Sequence, residues 1–87
     1  MALIIKSDGS PVKVEPKNGG CFSLKEMQKA VGGLIEVVNL PGKKLMIVNE
    51  EGSYNGSDVN NRVIALTRYS YGVLFGDILF INKNQIQ

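Results

Sequence analysis

The stretch Gly32-Gly33-Leu34-Ile35-Glu36-Val37-Val38 sets a paired glycine directly against a β-branched run, the pattern of a helix that stops and a strand that begins at once. Upstream of it, Ser23 and Glu26 have capping-box spacing, with Phe22 and Met27 at the flanking staple positions. Leu24, Met27 and Val31 then recur at three- and four-residue steps, so a short helix with one apolar stripe is expected, closed by a left-handed Gly32 or Gly33. Downstream, residues 34–40 and 44–49 read as strands joined through Pro41-Gly42-Lys43, where proline sets φ and glycine accepts a positive one.

The rest of the chain extends this pattern in both directions. Residues 2–6 and 11–15 form an expected hairpin across Ser7-Asp8-Gly9-Ser10, with Val12 and Val14 on its inner face, followed by a loop over 16–20. Residues 51–60, rich in Gly, Ser and Asn around Asn55-Gly56, predict a mobile surface loop. From Asp58, Val59, Val63 and Leu66 make one apolar line, with Asn61, Ala65 and Arg68 opposite, which predicts a second short helix. The final strand is expected over 73–81, apolar on both faces and therefore central in its sheet. The fold class is α+β: a single domain over 1–87, with an antiparallel or mixed sheet and two short helices packed on it.

The 87 residues suffice for one domain that buries roughly 60–65% of its unfolded surface, a thin core that favours homo-oligomerisation. Hydrophobic residues are 44% and charged residues 21% of the chain, an ordinary globular balance. The net charge is +2 with bases and acids interspersed, so nucleic acid is not the expected partner. The lone Cys21 cannot form an internal disulfide and fits a reducing compartment. Neither an export signal nor a membrane-spanning run is expected.

Histidine is absent, which excludes a Ser-His-Asp or Cys-His nucleophile system. One cysteine cannot furnish a zinc site, and no phosphate-loop or dinucleotide fingerprint occurs, so no cofactor is expected. The polar residues that remain group in three places. Glu36 and Asp77 fall within apolar strand patterns and are either exposed carboxylates or acceptors for a ligand's N–H and O–H groups. Asn49, Glu50 and Glu51 end a strand before the flexible loop, as a solvated turn or as polar groups converging on a ligand. Arg62 and Arg68, the only arginines, lie near Asn60, Asn61, Tyr69 and Tyr71. They are either an ordinary charged helix face or the parts of a nucleotide site, with guanidinium forks for phosphate and a ring for stacking.

Taken together, Gly-Gly-x-Ile-Glu-x-Val at 32–38, Asn-Glu-Glu-Gly at 49–52, Asn61-Arg62 and Gly76-Asp77 resemble a family of small phage and mobile-element proteins catalogued as a domain of unknown function. The resemblance covers most of the chain and departs from the family pattern over 69–74. It implies a phage-encoded accessory protein in the host bacterial cytoplasm, with no established catalytic residues. Small phage proteins often inhibit host defence, and one class sequesters cyclic nucleotide or cyclic ADP-ribose-like immune signals without cleaving them. By that analogy the ligand is a nucleotide-like small molecule. Arg62 and Arg68 would hold phosphate, Tyr69 or Tyr71 would stack on a base, and Asn61, Asn49, Glu50 and Glu36 would complete the site. The alternative is a protein-binding inhibitor of a host factor, acting through a strand edge or the 51–60 loop. A carboxylate enzyme using Glu36 and Asp77 ranks below both.

Overall fold

Helix α1 (Leu24–Val31) begins where the Ser23 hydroxyl accepts the Glu26 N–H at 3.2 Å and the Glu26 carboxylate accepts the Ser23 N–H at 3.0 Å, the reciprocal pair that the sequence spacing predicts. It ends at Gly32, whose φ of 81° is the left-handed cap that a side chain would strain. Gly33 serves a different need. A Cβ there would lie 3.0 Å from the Asn49 amide nitrogen, so the second glycine provides room rather than conformation.

The computed structural model describes residues 2–17, 19–54 and 56–86; Asn18 of the 16–20 loop and Asn55 of the 51–60 loop lie outside the described residues, as do Met1 and Gln87. Strands β1 (Ala2–Ile5), β2 (Pro11–Val14), β3 (Ile35–Leu40), β4 (Lys44–Asn49) and β5 (Ile78–Asn82) form one sheet in the order β2-β1-β5-β4-β3, with every neighbouring pair antiparallel. Helix α2 (Asn61–Leu66) completes the α+β domain, and a single 3₁₀ turn, Lys83–Gln85, follows β5.

The alternating strand pattern divides the core between the two faces of the sheet. On one face Phe22, Met27 and Val31 cover Leu45, Ile47, Leu79 and Ile81. On the other, Val63 and Ile64 of α2 and Leu74 cover Ile5, Met46, Val48 and Ile78. Central β4 and β5 are buried from both sides, whereas β2 and β3 lie at the edges.

Three expectations are corrected. The last strand starts at Ile78, not at residue 73, because Gly76 turns the chain at φ 76°. Residues 73–77 approach as a loop whose Phe75 forms a lone bridge with Val59. The strand is nevertheless central, as its two-sided hydrophobicity requires. Helix α2 buries Val63 and Ile64 rather than the line Val59, Val63 and Leu66; Leu66 is 58% exposed, since six residues are too few for a stripe to repeat. Val12 shares the inner face with Val14 but is 41% exposed, because α1 packs chiefly over β3, β4 and β5 and leaves the outer part of the β1–β2 hairpin open.

Asn60, wholly buried, ties these pieces together. Its Oδ1 caps α2 by accepting the Val63 N–H at 3.1 Å. Its Nδ2 donates to the carbonyls of Ile5, Lys6 and Gly76 at 3.0, 3.3 and 2.8 Å, and its backbone N–H donates to the Leu74 carbonyl at 2.8 Å. Removing this amide takes the side-chain partner from the Val63 N–H and from the Ile5 and Gly76 carbonyls, whereas the Lys6 carbonyl keeps the Gly9 N–H at 2.8 Å. Asn60→Ala is expected to cost about 2–4 kcal/mol in urea unfolding with an unchanged m-value. Asn60→Asp is expected to be at least as damaging at neutral pH, because a carboxylate would face carbonyl oxygens.

Candidate functional site

The sequence-derived candidates do not converge on one point. Glu36 on β3, Asn49 and Glu50 at the end of β4, and Tyr71 line a cleft of about 390 Å³ on the α2 face, with Val38, Val48 and Phe75. Four of the eight expected ligand residues therefore share a cavity, but much of their hydrogen-bonding capacity is committed. The Asn49 Nδ2 donates to the Val31 carbonyl at 3.1 Å and its Oδ1 accepts the Glu51 N–H at 2.8 Å, which ties the end of α1 to the end of β4. The Tyr71 hydroxyl donates to the Asn39 carbonyl at 3.3 Å.

The arginines occupy separate hollows. Arg62, beside Asn61, closes on the β1–β2 turn, where its Nη1 donates to the Gly9 carbonyl at 2.6 Å. Arg68 lies with Tyr71 against Leu40, Pro41, Leu66 and Phe80. Tyr69 is 74% exposed and lines none of these cavities. The cause is local: the helix stops at Leu66, and the chain then passes through left-handed φ values of 53° and 62° at Arg68 and Tyr69. The helical spacing that would relate the two arginines does not extend that far. Of the two carboxylates in strand patterns, Glu36 is exposed at the sheet edge, whereas Asp77 is half-buried and accepts the Ser7 N–H at 2.9 Å.

A different site is built on the α1 face, where the helix leaves part of β1 and β2 uncovered. Ile4, Val12, Val14 and Leu79 floor a groove of about 490 Å³, walled by Ala30 and Lys29 of α1. Four lysines edge it: Lys6 after β1, Lys17 before α1, and Lys25 and Lys29 one helical turn apart. Glu15, Glu26 and Asp77 complete the rim. The four-residue spacing of Lys25 and Lys29 is the local feature of the sequence from which this site could have been suspected. The other components are distant in the chain and meet only because the β1–β2 hairpin lies alongside α1.

Two of the acids at this rim serve the fold. Asp77 holds the start of the β1–β2 turn, and Glu26 accepts the N–H groups of both Ser23 and Lys17, the latter at 2.9 Å. These backbone donors, Ser23 first and Lys17 next, hold the Glu26 carboxyl below its ordinary pKa. Among the described residues, no group of three or more His, Cys, Asp and Glu side chains is placed to hold a metal ion. No helix among them is long and apolar enough to cross a membrane.

These features define a small α+β domain with one antiparallel sheet, a helix on each face and an apolar groove at one side. The chain belongs to the family described as domain of unknown function DUF3846, whose model matches residues 1–86. No curated protein and no solved structure matches it.

The Glu26 contacts set the acid response of this side of the molecule. Because its native pKa is lowered, the unfolded chain takes up the proton first. The contribution to stability is therefore present above the ordinary glutamate value and lost as pH falls from there through the lowered native value. Thermal midpoints measured across this acid window are expected to fall less steeply for Glu26→Gln than for the unsubstituted protein, and to differ by a constant amount near neutrality.

Proposed function

We propose that the protein is a non-catalytic binding module that sequesters a nucleotide-derived signal, a cyclic oligonucleotide or cyclic ADP-ribose-like molecule, in the groove between α1 and the β1–β2 hairpin. The observation that carries this reading is the pairing of an apolar floor with four lysine ammonium groups around a cavity of about 490 Å³, a size within the range of small-molecule sites. A base or ribose would rest on Ile4, Val12 and Val14, and phosphates would sit between Lys25, Lys29 and Lys17 or Lys6. Lys25 and Lys29 are like charges four residues apart on one helix, a mildly repulsive arrangement that an anion bridging them relieves. Glu15 would meet base N–H or ribose hydroxyl groups. This location replaces the Arg62 and Arg68 clamp expected from sequence, because those side chains line separate hollows.

Binding without turnover is supported by the histidine-free composition, which supplies no imidazole base or nucleophile partner. Stoichiometric capture needs only a pocket. The setting we attach to it, counter-defence by a phage protein in the cytoplasm of its bacterial host, is supported by the motif resemblance of residues 32–38, 49–52, 61–62 and 76–77.

Calorimetry with cyclic di- and trinucleotides and cyclic ADP-ribose isomers tests the reading. One ligand is expected to bind and to be recovered chemically intact after denaturation. Lys25→Ala and Lys29→Ala should each weaken it by about 1.5–3 kcal/mol, the scale of a hydrogen bond to a charged group. Arg68→Ala should leave binding unchanged. Loss of binding in Arg68→Ala with the lysine variants unaffected would return the site to the arginines. If no ligand binds and a host protein co-purifies instead, inhibition of that protein takes its place.

A further inference from the structure

The two edges of the sheet are not equivalent, and the difference points to a partner. In an antiparallel ladder the N–H and C=O of one residue point to the same side, and successive residues alternate. The Lys6 N–H donates to the Ser10 carbonyl at 2.9 Å, so Ser10, Val12 and Val14 face β1, and Pro11 and Lys13 face outward. The β2 edge thus offers a proline without an N–H and a lysine, two devices that keep a free edge from pairing.

The β3 edge carries neither. The Glu50 N–H donates to the Leu34 carbonyl at 2.8 Å, so Leu34, Glu36, Val38 and Leu40 face β4, and Ile35, Val37 and Asn39 present their backbone groups outward. The Tyr71 hydroxyl on the Asn39 carbonyl agrees with this, and that oxygen keeps a second lone pair. Leu34 and Val37 are 52% and 40% exposed at this edge.

We propose that a second copy of this chain occupies the β3 edge, the two β3 strands pairing antiparallel about a two-fold axis at Val37 so that two five-stranded sheets become one continuous sheet. A two-fold axis perpendicular to the sheet keeps each side chain on its own face, so the axis must pass through a residue pair of identical position. Centred on Val37, the backbone groups of Val37 meet those of the partner's Val37, and Ile35 meets the partner's Asn39 twice over, giving three fully bonded pairs.

On the α2 face, Leu34 falls opposite the partner's Leu40 and Glu36 opposite the partner's Val38, so no like charges meet. The neighbouring registers fail for stated reasons. Centring on Glu36 sets the two carboxylates face to face. Centring on Val38 brings Pro41, which has no N–H, opposite Ile35. The proposed ligand groove lies at the other side of the sheet, over β1 and β2, and stays open in this dimer, so the two proposals fail independently.

Light scattering over a wide concentration range is expected to show a reversible dimer of twice the 9.5 kDa chain mass. Val37→Lys should raise its dissociation constant at least tenfold, and Lys13→Val at the opposite edge should leave it unchanged. In a Cys21→Ser background, Val37→Cys should oxidise rapidly to a covalent dimer, because directly opposed bonded pairs hold their Cα atoms about 5.5 Å apart, within disulfide reach. Val38→Cys should not. A protein that stays monomeric at every concentration, a dimer unaffected by Val37→Lys, or cross-linking that favours Val38→Cys would overturn the proposal.

Discussion

The buried Asn60 amide is the constraint on which the rest of the structure depends. It caps α2 with its oxygen and holds the end of β1 and the turn before β5 with its nitrogen, so three segments far apart in the chain share one side chain. A helix of six residues has little stability of its own. It persists because this cap and the burial of Val63 and Ile64 against Ile5, Met46 and Ile78 fix it to the sheet. The Gly76 carbonyl and the Val63 N–H would lose these partners without the Asn60 amide, in a protein-lined interior where an unmade hydrogen bond costs more than a formed one contributes.

This constraint reaches the face that carries the groove through the sheet. Lys6 and Asp77, at one end of the proposed groove, follow directly on Ile5 and Gly76, whose carbonyls Asn60 holds, and the Asp77 carboxylate then fixes Ser7. Glu26 does the same at the start of α1, anchoring the chain at Lys17. Two of the acids at the rim therefore act as struts for the loops that carry lysines. Val12 and Val14 stay accessible because α1 is only eight residues long and packs chiefly over the other three strands. The open part of the face follows from the length of one helix.

Much of this was legible in the chain. The Ser23–Glu26 capping box, the glycine stop at Gly32 and the hairpin through Pro41-Gly42-Lys43 are local signals, and local geometry decided them. The onset of the last strand was not legible, because Val73, Leu74 and Phe75 have strand composition and only the backbone turn at Gly76 separates them from β5. Asn60 read only as a polar neighbour of the two arginines, not as a buried tie, since its partners lie 55, 54 and 16 residues away. The candidate site shows the same division. Glu36, Asn49, Glu50 and Tyr71 do share a cleft, but Asn49 is spent on tying α1 to β4, and the four groove lysines form a cluster only after folding.

The central claim is that ligand binding belongs to the groove beside α1 and not to the cleft at Glu36 and Tyr71 or to the hollows at the two arginines. Backbone amide NMR spectra recorded while a cyclic dinucleotide is added test it most directly. The account predicts shifts that track together at Lys6, Val14, Lys17, Lys25 and Lys29, with Glu50, Arg68 and Tyr71 unmoved. Shifts concentrated at Glu36, Glu50 and Tyr71, or at Arg62 and Arg68, with the α1 lysines unmoved, would contradict it.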